Sequence, residues 1–172
     1  MDGSVRRMIK ILISACLLGE RVRYHGGDAA LSDRILDRWR REGRLVPICP
    51  EVAGGLSVPR PAAEIQGAGG HAVLGGIARV VTSEGADVTD AFLAGARAGL
   101  EASLREGARV AVLKEGSPSC GSNEVYDGSF RGRRKTGVGV TAALLAEQEV
   151  RVFNEHELEL AERYIAEVEN TQ

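Results

Sequence analysis

Three cysteines, the only ones in the chain, each follow a run of apolar residues. Cys16 comes after residues 9–15, Cys49 after residues 45–48, and Cys120 a short polar segment after residues 110–113. If these runs are parallel strands of one sheet, their carboxyl ends share an edge and bring the three thiols together. Three soft ligands that converge on a cleft would hold a metal centre with one position left open.

The spacing of the cysteines leaves several chemistries open. A structural zinc site usually has four ligands and a close Cys-x-x-Cys pair, whereas here the gaps are 33 and 71 residues and there is no fourth cysteine. A cubane iron–sulfur cluster takes thiolates from distant loops, and three cysteines would leave one iron free for substrate. Three-ligand zinc, a thiol nucleophile and three buried structural thiols are the alternatives.

Two candidate residues follow the second cysteine. Glu51 stands two positions after Cys49, where a carboxylate beside a cluster could act as a general base or an electrostatic anchor. Arg60 lies between Pro59 and Pro61 in a turn-rich stretch whose backbone the prolines stiffen. We interpret this stretch as a wall of a substrate site, with an ordinary solvated loop as the alternative.

The densest group of polar residues surrounds the third cysteine. Residues 114–122 read Lys-Glu-Gly-Ser-Pro-Ser-Cys-Gly-Ser, and small residues with free N–H groups form anion-binding nests. Ser117 has no base nearby in the sequence, so we interpret its hydroxyl as a group that orients substrate or relays a proton. The candidate substrate contacts in this loop are Lys114, Ser119, Gly121 and Ser122.

A basic run precedes the last glycine turn and helix. Its residues Arg133, Arg134 and Lys135 form a candidate phosphate site, because a glycine turn at a helix start can hold phosphate. A solvated basic loop is the alternative. The three histidines have no metal-ligand spacing.

The elements that must position these residues alternate between strand and helix. Apolar runs and helical spacing predict strands at 9–15, 45–48, 77–82, 109–113 and 150–153, helices at 32–42, 88–106, 138–148 and 155–169, and loops at 49–76 and 115–135. This alternation predicts an α/β fold with a mostly parallel, Rossmann-like sheet flanked by helices. We expect residues 1–172 to form a single domain with its core between about residues 9 and 169.

Composition and net charge narrow the classes of molecule that the protein is expected to bind. A net charge of −2 creates no large field that would attract nucleic acid, and no apolar stretch approaches the ~20 residues that span a bilayer. Arg6, Arg7 and Lys10 precede the first apolar run, but no small-residue cleavage site follows it, so we interpret the run as a strand rather than a signal peptide. Three widely spaced cysteines do not match a secreted disulfide framework, and we expect a cytoplasmic protein with no membrane partner and no stable nucleic-acid partner.

Several motifs resemble those of a known family. They lie at residues 13–19, 22–24, 46–56, 59–65, 113–122, 126–130 and 137–142, so the resemblance runs from about residue 9 to residue 154. In this order they resemble the bacterial thiouracil desulfidases. The resemblance implies a [4Fe–4S] cluster held by Cys16, Cys49 and Cys120, with the fourth iron open, and it implies catalytic roles for Glu51 and Ser117.

The reaction implied by the resemblance is hydrolytic and non-redox. Water replaces the sulfur of a thiolated pyrimidine base or nucleotide with oxygen, and sulfide is released. The implied substrates are 2-thiouracil and 4-thiouridine monophosphate, with Tyr24 and Arg60 among the substrate contacts. A soft thiocarbonyl sulfur suits a soft iron–sulfide site. His25 departs from the family pattern, which often has Asp or Asn before the glycine, and specificity could differ there.

Two functions of other classes remain as alternatives. One is a nucleotide-binding or redox-sensing module in which the cluster is structural. The other is a zinc or thiol hydrolase that uses the same three cysteines.

Overall fold

The computed structural model of the protein describes residues 7–172. In chain order the elements are β1 (Lys10–Ser14), a 3-10 turn (Ala15–Leu18), α1 (Arg34–Arg41), β2 (Leu45–Ile48), α2 (Pro50–Ala53), β3 (Ala63–Gln66), α3 (Gly70–Leu74), β4 (Arg79–Thr82), α4 (Thr89–Glu106), β5 (Ala108–Leu113), β6 (Glu124–Tyr126), β7 (Arg134–Thr136), α5 (Val140–Glu147), β8 (Arg151–Asn154) and α6 (Leu158–Asn170). Arg6, which the sequence analysis placed before the first strand, lies outside the described residues. Within residues 7–172, no helix combines the length and apolar character needed to cross a membrane.

A parallel sheet of four strands forms the centre of the fold, in the order β2-β1-β5-β8. Side chains alternate between its two faces. Ile11 and Ile13 pack in a cluster with residues of α1 and α6, whereas Leu12 packs with residues of α4 and α5. Since helices cover both faces, residues 11–13 of β1 and residues 110–113 of β5 are apolar and buried. The expected α/β fold with a mostly parallel sheet flanked by helices is confirmed.

The segments expected to be loops contain additional elements. Residues 49–76 hold α2, β3 and α3, and residues 115–135 hold β6 and the start of β7. The strand expected at residues 77–82 is β4, which pairs antiparallel with β3 outside the parallel sheet. Likewise β6 and β7 form a small antiparallel hairpin. The expectation of loops was therefore wrong for these short elements, which are only three to five residues long.

The carboxyl ends of three parallel strands carry the segments with the cysteines. The 3-10 turn with Cys16 follows β1, Cys49 directly follows β2, and the loop with Cys120 follows β5. Open sheets of this type bind ligands beyond the carboxyl ends of their strands. The fold therefore brings the three segments to one edge, as their positions in the sequence predicted.

Candidate functional site

A cavity of about 540 Å³ opens at this edge, and all three cysteines line it. Cys16 and Cys120 are buried, Cys49 is half-buried, and all three are free thiols. The volume lies within the ~300–1,000 Å³ typical of small-molecule sites. The cavity can thus hold a small ligand beside all three cysteines.

Burial sets the protonation state of the thiols. Desolvation raises the pKa of Cys16 to about 11, against an opposing effect of Arg23, and raises the pKa of Cys120 to about 12. Burial also raises the pKa of Cys49. An activated cysteine nucleophile has a lowered pKa, whereas burial shifts these three pKa values in the opposite direction. Metal ligation would offset the cost of a buried thiolate, because a thiol that coordinates a metal is deprotonated and its charge is neutralised by the metal.

The arrangement of the thiols bears on which metal group fits. Between residues 7 and 172, no three side chains of His, Cys, Asp or Glu are placed so that they could hold a single metal ion. Three free thiols that line one cavity suit a multi-iron cluster, whose iron atoms each take a separate cysteine. Cys16, Cys49 and Cys120 therefore fit as ligands of such a cluster.

Glu51 faces the cavity from the first turn of α2 and is oriented by Arg60. Its Oε1 accepts a hydrogen bond from Arg60 Nε at 3.2 Å, and the Arg60 side chain is only 6% exposed. The guanidinium also donates to the carbonyl oxygens of Ser57 and Val22, at 3.0 and 2.9 Å. Arg60 does line the cavity, but these contacts make it an anchor for the carboxylate.

A chain of hydroxyl groups connects the other carboxylate oxygen with the loop after β5. Glu51 Oε2 accepts from Ser119 Oγ at 3.1 Å, and Ser119 Oγ lies 3.0 Å from Ser117 Oγ. Since a carboxylate only accepts, the Ser119 hydroxyl donates to Glu51 and can accept from Ser117. The Ser119 hydroxyl lies farther from Cys120 Sγ, at 3.5 Å. The geometry creates a proton path from Ser117 through Ser119 to Glu51.

Glu115, whose role the sequence analysis missed, holds this loop in shape. Its buried Oε1 accepts backbone N–H groups at 2.9–3.2 Å from Gly116, Ser122, Asn123 and Glu124. Its Oε2 accepts from Ser122 Oγ and Asn154 Nδ2, at 3.1 and 2.7 Å. Burial alone would raise the pKa of Glu115, but the backbone hydrogen bonds outweigh it and lower the pKa. The available signal in the sequence was a glutamate two residues after a buried strand and directly before a glycine.

The other residues predicted in this loop divide into two groups. Lys114 and Ser119 line the cavity, whereas Gly121 and Ser122 are not among its lining residues. Lys114 Nζ pairs with Glu155 Oε1 at 2.8 Å. Gly121 N–H donates to the Ser117 carbonyl at 2.8 Å. Gly121 therefore stabilises the backbone turn of this loop.

The start of α5 is also hydrogen-bonded to this loop. The N–H groups of Val140 and Thr141 donate to the carbonyl oxygens of Pro118 and Ser119, at 2.9 and 2.8 Å, and that of Ala142 donates to Ser119 at 3.2 Å. These N–H groups are therefore not available to a phosphate. The candidate phosphate site thus depends on the basic side chains before the turn.

The three basic residues predicted for phosphate lie on or next to the β6–β7 hairpin. Arg134 lines the cavity, with its guanidinium carbon 5.2 Å from the centre of the Tyr126 ring. Arg133 and Lys135 are not among the lining residues. Lys135 Nζ donates instead to the carbonyl of Gly67.

Comparison with known proteins shows the family of this chain. Residues 11–157 match the model of the 2-thiouracil desulfurase family. The chain belongs to this family. A solved structure described as a [4Fe–4S]-dependent thiouracil desulfidase, TudS, is 45% identical to the chain, with a TM-score of 0.85, and the match covers 92% of this chain and 98% of TudS. An uncharacterized Bacillus subtilis (strain 168) protein, YbbK, is 47% identical over 148 residues, which are 86% of this chain and 97% of YbbK. The expectation of a thiouracil desulfidase is confirmed.

The outer part of the desulfidase cavity contains groups suited to substrate recognition. Tyr24 lines it and is 41% exposed, while its neighbour His25 contacts the Tyr24 ring edge-on, with ring centres 4.9 Å apart. Glu64 lines the cavity although it is only 8% exposed, and its Oε1 accepts the N–H groups of Gly128 and Phe130 at 2.9 and 3.2 Å. The sequence analysis did not single out Glu64, because its partners lie more than 60 residues away.

Proposed function

We propose that this chain holds a [4Fe–4S] cluster on Cys16, Cys49 and Cys120 and hydrolyses thiolated pyrimidines, among them 2-thiouracil and 4-thiouridine monophosphate. One observation carries the proposal: three free thiols and the hydrogen-bonded path from Ser117 to Glu51 face the same cavity. The cluster dependence of TudS, at 45% identity, supports it.

The overall reaction exchanges one atom on the pyrimidine ring. Water supplies the oxygen that replaces sulfur, and its two protons leave with the sulfur as hydrogen sulfide or as hydrosulfide and a proton. A bound cluster with an open iron would offer the thiocarbonyl sulfur a soft Lewis-acid site and would thereby withdraw electrons from the ring carbon. The protein must then provide a base for water and a path for protons.

Glu51 is the group placed to activate water. Its carboxylate lies on the cavity, and Arg60 fixes its orientation through Oε1. Held in this way, it can take a proton from a water molecule that attacks the ring carbon, as general bases do. Ser117 borders the cavity and donates toward Ser119, so a proton can also move between the substrate and Glu51 along the hydroxyl path.

Positive charge near the cavity supports a nucleotide as substrate. Arg134 and Arg23 both line the cavity, and the half-buried Arg23 side chain forms no hydrogen bond or ion pair with any residue from 7 to 172. Arginine recognises phosphate well because its planar fork presents several donors. Arg133 and Lys135, neighbours of Arg134 in the sequence, add to the positive charge of the candidate phosphate site.

The unpaired thiols indicate the cellular compartment of the enzyme. Three unpaired cysteines suit a reducing compartment, and we place the protein in the cytoplasm as a single domain. Its partner in this proposal is a small thiolated pyrimidine.

Anaerobic reconstitution with iron and sulfide tests the proposal. We expect about four iron atoms per chain, as a [4Fe–4S] cluster requires, and release of hydrosulfide from 4-thiouridine monophosphate and from 2-thiouracil. With equal iron content, Glu51→Gln and Ser117→Ala should lower turnover by ~10²-fold or more, the usual contribution of a positioned proton-transfer group. Glu106→Gln and Ser32→Ala change exposed residues and serve as controls.

Two results would contradict the proposal. One is a protein that takes up zinc but no iron–sulfur cluster. The other is a loaded protein that releases no hydrosulfide from any thiolated pyrimidine, which would favour a structural or redox-sensing cluster.

A further inference from the structure

The buried carboxylate of Glu64 has one oxygen free at the cavity. Oε1 accepts two backbone N–H groups, whereas Oε2 has no hydrogen-bond partner among residues 7–172 and is not one of the fully buried atoms without a partner. Glu64 is 8% exposed and lines the cavity. Since Glu64 lines the cavity and the described residues supply no donor to Oε2, this oxygen is a free acceptor for a ligand that brings a hydrogen-bond donor.

Neighbouring charges indicate which part of a ligand faces Glu64. The carboxylate accepts hydrogen bonds from Gly128 and Phe130. Both residues lie in the loop that connects the strands of Tyr126 and Arg134. The three thiols mark the part of the cavity at the strand ends, where the sulfur of a substrate would lie. A nucleotide with its sulfur at the thiols and its phosphate at Arg134 has its ribose between the two.

The chemistry of a carboxylate agrees with this placement. A carboxylate repels phosphate but accepts hydrogen bonds from hydroxyl groups, and the ribose is the part of a nucleotide that carries two adjacent hydroxyls. A carboxylate also contacts a ribose hydroxyl in dinucleotide-binding folds. We propose that Glu64 Oε2 accepts hydrogen bonds from the 2′ and 3′ hydroxyls and makes this enzyme selective for ribonucleotides. This inference rests on the proposed function for its substrate class.

The amide variant separates the two tasks of the side chain. In Glu64→Gln, the amide oxygen can keep the contacts with Gly128 and Phe130, while the amide nitrogen replaces the accepting oxygen. The variant therefore removes the acceptor at the cavity and leaves an acceptor for the loop.

Binding of the sulfur-free product tests the inference without turnover. Isothermal titration of the reconstituted protein would compare uridine monophosphate with 2′,3′-dideoxyuridine monophosphate. We expect the hydroxyl groups to tighten binding by about tenfold or more, as hydrogen bonds to a charged group do, and we expect this ratio to fall close to one in Glu64→Gln. The exposed Glu106→Gln should keep the ratio of the unaltered protein.

Several outcomes decide the inference. Equal binding of the two nucleotides by the unaltered protein would overturn it, and so would a hydroxyl preference that persists in Glu64→Gln. If Glu64→Gln does not fold, the comparison of nucleotides on the unaltered protein still decides. Hydroxyl-dependent binding without hydrosulfide release would support the inference while the proposed function fails. Hydrosulfide release with no hydroxyl preference would overturn the inference alone.

Discussion

Ser119 illustrates how a single contact changes the interpretation of a residue. The sequence predicted it as a substrate contact, but its side chain is buried between Glu51 and Ser117, with hydrogen-bond distances of 3.1 and 3.0 Å. A hydroxyl in this position can pass a proton between the two groups. Its removal would therefore affect the chemical step more than substrate binding.

The first prediction concerns Ser119→Ala. We expect kcat for hydrosulfide release to fall by ~10–100-fold, because a positioned proton-transfer group contributes at least this much, with a smaller change in KM. Anaerobic turnover over a range of substrate concentrations measures both constants, at an iron content equal to that of the unaltered protein. Ser32→Ala is the control. A raised KM with unchanged kcat would instead make Ser119 a substrate contact.

The second prediction concerns the charge of Glu115. In Glu115→Gln, the amide nitrogen would face Asn154 Nδ2, a donor against a donor, at the contact that now measures 2.7 Å. We expect the free energy of unfolding at pH 7 to fall by ~1–3 kcal/mol, measured by urea denaturation. Glu106→Gln should change it little.

The same variant has a pH signature. The pKa of Glu115 is lowered in the folded protein, so its charge adds stability above the unfolded pKa, and that stability is lost as the pH falls through the folded pKa. We expect the unaltered protein to lose more stability than Glu115→Gln between pH 7 and the acidic range. Parallel pH profiles for the two proteins would contradict this role of the carboxylate.

At the scale of elements, α5 holds the loop that carries Ser117, Ser119 and Cys120. Gly139, just before the helix, allows this close packing, because a Cβ there would lie 2.4 Å from the carbonyl carbon of Ser119 and 2.7 Å from the N atom of Cys120. Both contacts are with backbone atoms, which cannot move without moving the loop.

The third prediction follows from this packing. Gly139→Ala should displace the loop, lower the free energy of unfolding by ~1–3 kcal/mol, and reduce iron uptake on reconstitution. Gly75→Ala is a matched control, since its φ of −79° resembles the −73° of Gly139 and its nearest atom would lie 3.5 Å away. Thermal unfolding and iron content report the two effects. Normal iron uptake by Gly139→Ala would contradict the role of α5 in shaping the site.

Elements with strong local patterns could be predicted, whereas short elements that depend on distant partners could not. β1 and β5 contain continuous apolar runs, at residues 11–13 and 110–113, since both faces of the sheet are buried there. β3 has only four residues, two of them Glu64 and Gln66, and it exists because it pairs with β4. Nothing local in its sequence distinguishes it from a loop.

The same distinction applies to the site. The gathering of the cysteines followed from strand order, because each lies close to the end of an apolar run. The role of Glu115 depends on Asn154, 39 residues away, and that of Arg60 depends on its approach to Glu51 and Val22. Such contacts between segments need three-dimensional geometry.

At the scale of the whole molecule, the proposed cluster would link segments that are far apart in the sequence. Cys16 follows β1, Cys49 follows β2, and Cys120 follows β5, so the three ligands tie together three of the four strands of the central sheet. A group that binds the folded chain and not the unfolded chain stabilises it by linkage. The cluster should therefore act on stability as well as on chemistry.

The fourth prediction is a rise in thermal stability on reconstitution. We expect the loaded protein to unfold at a temperature several degrees above that of the cluster-free protein, followed anaerobically by circular dichroism. Cys49→Ser should abolish the rise, and Cys49 is the best position to change because it is half-buried while the other two cysteines are buried. A serine there costs the cluster-free fold least, so the cluster-free variant should unfold close to the cluster-free unaltered protein. Equal midpoints for the loaded and cluster-free unaltered protein, at full iron content, would mean that the cluster does not tie the three strands together.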